Sequence, residues 1–243
     1  MKMSTKNSDR CRVDNTNQFW LHYLSLEKAL EEISEYVAIH ESNKKVFSFK
    51  IMQLYFSVCS EIDSIFKHIR SNIPDYTDTN TKDDNLTIKE HKAMIEKHFH
   101  GIKKTKVNLN ISGYSLKFQP FKVLFDSHRI KREEQDKEKD KYDSNKFEGW
   151  WSDYNSVKHN RLNSFRKANL DNLLHSLSAL HILNLVYAVT LESQWVKNYD
   201  SVLIEAPATS HYPIFQLKNS GSNRYTNSAH SYYASRLNNN SIR

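Results

Sequence analysis

Glycine and proline are scarce in this chain, four of each in 243 residues. So few turn-formers argue against many short strands and tight hairpins, and for long helices joined by few loops. Cysteine is rarer still. Cys11 and Cys59 make neither a disulfide framework nor a zinc site. No stretch reaches the ~18 apolar residues of a membrane span. The opening segment, MKMSTKNSDRCRVDNTNQ, has no apolar run of the kind a secretory signal needs. These absences point to a cytoplasmic protein with no membrane contact, in which the sequons at Asn85, Asn110 and Asn239 are accidental. There is no phosphate-binding glycine loop, no GxSxG, no HExxH and no paired metal-ligand motif, so neither metal nor cofactor is expected.

What is present is apolar surface and positive charge. Hydrophobic residues make up 38% of the chain and aromatic residues 12%, enough for a substantial core. Lys and Arg outnumber Asp and Glu by 35 − 28 = 7. That balance weakly favours a polyanionic partner such as RNA or DNA.

Apolar spacing predicts a helix from Phe19 to about residue 41, through Trp20, Tyr23, Leu24, Leu26, Leu30, Ile33, Tyr36 and Val37, capped by Thr16 or Asn17. Residues 1–16 read as a polar, frayed arm. A second helix runs from Lys45 or Ser48 to Ser71, closed by Pro74, and forms an antiparallel pair with the first. In the 74–147 insert, Leu86 to Phe99 has an amphipathic helical pattern, and VNLNISGYSLKF (107–118) alternates around Ser112-Gly113 as a hairpin does. Residues 131–141 carry five basic and five acidic side chains, a solvated helix or a loose insert without chemistry. A third helix should span Glu148 to about Arg161 and break at Asn163 or Ser164. A fourth, Leu-rich, spans 166–192 and should sit centrally. In 193–243, residues 201–205 and 212–217 read as short strands or docked extensions. The end, 219–243, reads as disorder or as a basic, aromatic arm that stacks on single-stranded RNA.

Within WWSDYNSVKHNRLNSF (150–165), Asn155 and His159 lie four apart on one helix face, with Lys158 beside both. Trp150, Tyr154, Val157 and Arg161 follow on a neighbouring stripe. The imidazole can move protons near neutrality, Lys158 and Arg161 can hold a phosphate, and Asn155 can orient the imidazole or a ribose hydroxyl. The other histidines read differently. His91, His98 and His100 flank a surface helix, and His175 and His181 belong to the buried one.

A helix pair carrying FSVCSEIDSIFKHI, an insert, and YNSVKHNR leading into a Leu-rich last helix resembles the HEPN superfamily. The resemblance covers about residues 17–73 and 148–192. It implies a mainly α fold, an antiparallel HEPN-like helix bundle, with a small α/β insert between the second and third long helices. It also implies a metal-independent endoribonuclease of a bacterial defence, abortive-infection or toxin–antitoxin type. In such an enzyme the ribose 2′-OH attacks the adjacent phosphate. The family motif pairs an Arg, commonly followed by a polar residue, with a His a short way on. His159 matches the His and Asn155 the polar position, but Ser152, Asp153 and Tyr154 stand where the Arg belongs.

On this reading His159 is the general acid or base. Lys158 and Arg161 hold the phosphate, and Trp151 contributes to substrate binding. Glu61 is either a surface residue or a carboxylate that pairs with Lys158 or Arg161 and so fixes that cation near His159. The implied partners are RNA, a second copy of the chain, and an antitoxin or other defence protein. The alternative, favoured by the missing Arg, is a non-catalytic helical module that binds a protein or RNA partner.

Overall fold

The computed structural model describes residues 6–73, 88–99, 101–111, 113–126, 149–192 and 215–217. The region is mainly helical. The calls on 131–141, 201–205 and 219–243, and on His100, lie outside the described residues.

Three long helices form the centre: α1 (Lys6–Ser34), α2 (Phe49–Ser71) and α7 (Leu170–Glu192). α1 begins at Lys6, so the helix extends well into the segment read as a frayed arm. It ends at Ser34 rather than near residue 41. A turn at Tyr36 and Val37, both bonding to the Ile33 carbonyl, redirects the chain and buries Ile39. Continued as a helix, the chain would have had to bury Tyr36, which is 87% exposed. α2 begins where a Ser can cap it: Ser48 accepts from the Ile51 amide at 3.1 Å.

α1 and α2 are antiparallel, as Glu32 meets Lys50 at one end and His22 meets Glu61 further along. α7 runs parallel to α2 and so antiparallel to α1. Leu170 and Asp171 bond to the carbonyls of Val46 and Lys44 just before α2. Cys59 meets Ser176, and His68 and Tyr187 meet near the far ends. The physical reason is the long crossover between the two helices, which returns the chain to the end where α2 began.

α7 is apolar almost all round, as its central place requires. Three of its polar groups enter the core by bonding back to their own helix. Ser176, Ser178 and Asn184 donate to the carbonyls of Leu173, Leu174 and Leu180.

The crossover carries α3 (Ile88–His98), a hairpin of β1 (Val107–Ile111) and β2 (Tyr114–Phe118), and α4 (Pro120–Asp126). Ile111 pairs with Tyr114 across a two-residue turn, where Gly113 takes φ +79°. A third strand, β3 (Phe215–Leu217), pairs antiparallel with β1, in the order β2-β1-β3. Phe118 and Phe121 are buried in the same hydrophobic core as the long helices. The insert therefore packs as part of the bundle.

Candidate functional site at the end of α5

α5 (Trp150–His159) follows Gly149, whose φ of +101° suits glycine and whose missing Cβ would press on Val123 Cγ1 at 3.2 Å. The helix buries Trp150, Trp151, Tyr154 and Val157. Trp150 is fixed twice. Its indole N–H donates to the Pro120 carbonyl at 3.0 Å, and its own carbonyl accepts the Tyr55 hydroxyl. Tyr154 stands edge-on to Tyr55 and Phe56 of α2.

The opposite face is polar. Asp153 accepts from the Asn172 amide of α7 at 2.9 Å and pairs with Lys167 at 3.0 Å. Lys167 also reaches the Ser156 hydroxyl at 3.2 Å. These bonds clamp α5 to α7 and to the turn Phe165–Lys167 between them.

Beyond the clamp lie the candidate residues. Asn155 is half-buried, and Lys158 and His159 are exposed in the last turn. The Lys158 ammonium lies 5.6 Å from the Tyr154 ring centroid. Arg161 is exposed too, but it is not on α5. Asn160, at φ −143° and ψ 62°, ends that helix, and Arg161 opens the short α6 (Arg161–Ser164). The break therefore comes three residues earlier than Asn163, the first of the two positions expected from sequence. The side chains of Asn155, His159 and Arg161 make no hydrogen bond or ion pair with any described residue.

Two assignments need correction. Trp151 is 6% exposed and packs on Trp150 and Tyr154, with ring centroids at 5.7 and 5.4 Å. It is a core residue and offers no open face to a substrate, because α5 spends both tryptophans on its apolar side. Glu61 pairs with neither Lys158 nor Arg161. Its carboxylate meets His22 Nδ1 at 3.1 Å, since its face of α2 looks toward α1.

No protein-family model, no curated protein and no solved structure matches the chain. The site must be read from its own geometry.

A second polar surface lies between α1 and α2. Gln18, Phe19, His22, Glu61, Ser64 and His68 line an open depression of about 460 Å³. His68 is held by the Ser64 carbonyl at 2.9 Å and stands edge-on to Phe19 at 5.0 Å. Sequence reasoning missed this grouping. The available signal was the i, i+3, i+7 spacing of Glu61, Ser64 and His68 on one face of α2.

The remaining titratable groups serve packing. His91 is buried, stacked 4.6 Å from Phe66 and paired with Asp63 at 3.5 Å. That hydrogen bond, helped by Lys67, outweighs burial and lowers the Asp63 carboxyl. Burial acts to raise Asp171, but hydrogen bonding from His175 and the charges of Lys44 and Lys45 leave it lowered. Burial pushes the Cys59 thiol well up, against a hydrogen bond to Ser176. Among the described residues no group of three or more His, Cys, Asp or Glu could hold a metal ion, and no helix is long and apolar enough to cross a membrane.

Proposed function

We propose that the protein is a metal-independent, HEPN-like endoribonuclease acting through the exposed end of α5. The observation that carries this reading is the set Asn155, Lys158, His159 and Arg161. Within seven residues, at the end of α5 and the start of α6, it supplies an imidazole, two cations and an amide, the imidazole and both cations exposed. The segment 154–170 contains no acidic residue to neutralise it. Such a corner attracts a phosphodiester and puts a proton carrier beside it.

In the proposed reaction a ribose 2′-hydroxyl gives up its proton and its oxygen bonds to the adjacent phosphorus. The bond from phosphorus to the 5′ oxygen breaks, and the leaving oxygen takes up a proton. The products are a 2′,3′-cyclic phosphate and a 5′-hydroxyl end. His159 serves one of the two proton transfers, Lys158 and Arg161 hold the phosphate as charge builds on it, and Asn155 orients the imidazole or the sugar. A second copy of the chain, meeting the first at this corner, supplies the other imidazole.

The test is RNA cleavage in EDTA by wild type and His159→Ala, with the ends mapped. A general acid or base contributes roughly 10²–10⁴ in rate, so the variant should lose at least that lower bound. Equal cleavage by both proteins would sink the assignment.

One observation favours a second reading, a module that binds RNA or a protein without cutting. Asp153 stands among the positions where the family's Arg belongs, and it is committed to Lys167 and Asn172. That part of the motif holds helices together here. Persistent RNA binding with no cleavage by wild type would select this alternative.

A further inference from the structure

We infer that the α5–α6 corner takes RNA as a single strand, with an unpaired base stacking on Phe49 while the neighbouring cations hold the phosphates. This rests on the RNA reading above and names its substrate class.

Six large apolar side chains are exposed among the described residues, and two of them, Phe47 and Phe49, meet on Phe165 beside this corner. Phe49 opens α2 and is 63% exposed. Burying an apolar ring is favourable, yet this one remains open to solvent. Phe165 ties the group together. Its ring lies 4.8 Å from that of Phe49, tilted by 32°, and 5.3 Å from that of Phe47, edge-on at 83°. The Arg166 guanidinium sits 5.8 Å from the Phe47 ring centroid. Lys167, next along, is bonded to Asp153 and Ser156 of α5. A single short turn therefore couples the aromatic cluster to the helix that carries Lys158 and His159.

Exposed rings among cations suit a particular form of nucleic acid. In an A-form duplex the base faces are covered by their neighbours, and proteins read phosphates and 2′-hydroxyls instead. A single strand offers free base faces, and stacking on an aromatic ring tolerates any sequence. An apolar protein partner fits less well. Arg166 sits on the Phe47 ring, and Lys158 and Arg161 are exposed on the neighbouring α5 and α6, so these cations would have to be desolvated or paired.

The test is a fluorescence-anisotropy titration of the full chain against a labelled, unstructured oligonucleotide and its duplex. Both are 2′-O-methylated so that the attacking hydroxyl is blocked. Phe49→Ala and Phe49→Leu should weaken single-strand binding about 5- to 100-fold, Phe49→Trp should restore it, and duplex binding should not respond. Phe49→Leu keeps an apolar contact with Phe165 and carries the test should the Ala variant fold poorly. If wild type binds RNA and Phe49→Leu binds equally well, stacking is wrong while the RNA reading stands. Duplex binding as tight as single-strand binding overturns the inference in the same way. No binding to either form overturns both.

Discussion

Asp153 and Asn172 join α5 to α7: the Asn172 amide donates to Asp153 Oδ2 at 2.9 Å and to the Lys167 carbonyl at 2.8 Å. Asn172 is 8% exposed, so both bonds are made out of reach of most solvent. This one side chain sets where the end of α5 lies relative to the turn that carries Phe165 and Arg166.

Asn172→Ala should therefore destabilise the protein by about 1–2 kcal/mol, because it strips the donor from two partly buried acceptors. Urea unfolding reads the shift. RNA binding should fall as well, since the turn then loses its tie to α7 and is joined to α5 only through the Lys167 ammonium at Asp153 and Ser156. A midpoint unchanged from wild type would mean that the clamp is ornamental.

His181 gives a pH dependence of known sign. Burial depresses its pKa to about 3, and its ring lies 5.3 Å from that of Tyr23 and 6.2 Å from that of Trp20. Above the unfolded value of about 6.5, both folded and unfolded chains hold it neutral and it contributes no pH dependence. Below that value only the unfolded chain takes up the proton, so stability falls as pH drops from about 6.5 toward 3. By pH 5 the loss should be about 2 kcal/mol. The lowered carboxyls of Asp63 and Asp171 act in the same direction but only in the more acidic range, through their own depressed titrations. His181→Phe should flatten the profile between pH 6.5 and 5. An equally steep profile in that variant would assign the protonation elsewhere.

Much of this fold was legible because burial imposes a period. The Leu run of α7, the facing stripes of α1 and α2, and the alternation around Ser112-Gly113 each announce their element. What escaped has local physical causes. The polar start of α1 has no apolar stripe, so periodicity is blind to it, although backbone bonds carry the helix back to Lys6. The break at Asn160 lies in one residue's φ and ψ. The direction of α7 depends on the length of the crossover, which no helical pattern encodes. At the site, the spacing of Asn155, Lys158 and His159 was readable and all three fall on the polar side of α5. Trp151 is buried beside Trp150 because positions i and i+1 both fit the wide apolar arc of this helix.

Glu61→Gln separates the two polar surfaces. The carboxylate is bound to a half-exposed His22, so the pair contributes 0–1 kcal/mol at most. The substitution should leave both stability and RNA cleavage close to wild type. A large loss of cleavage with stability intact would move the chemistry from α5 to the depression between α1 and α2, where His22 and His68 stand.

Trp150 is the last support of the site and the most exacting to replace. It is fully buried, it meets Trp151 nearly edge-on at 81°, and its indole N–H reaches across to α4 at the Pro120 carbonyl. Trp150→Phe keeps a ring in the core but leaves that carbonyl without its donor, at a cost of about 1–3 kcal/mol. Trp150→Ala also opens a cavity and should cost about 3–5 kcal/mol. The difference between the two, read from denaturant midpoints, separates packing from the hydrogen bond. If the indole bond matters to function, Trp150→Phe should also loosen α4 from α5, seen as faster amide hydrogen exchange over 120–126. Exchange unchanged there would show that packing alone holds α4, and that the site tolerates loss of the bond.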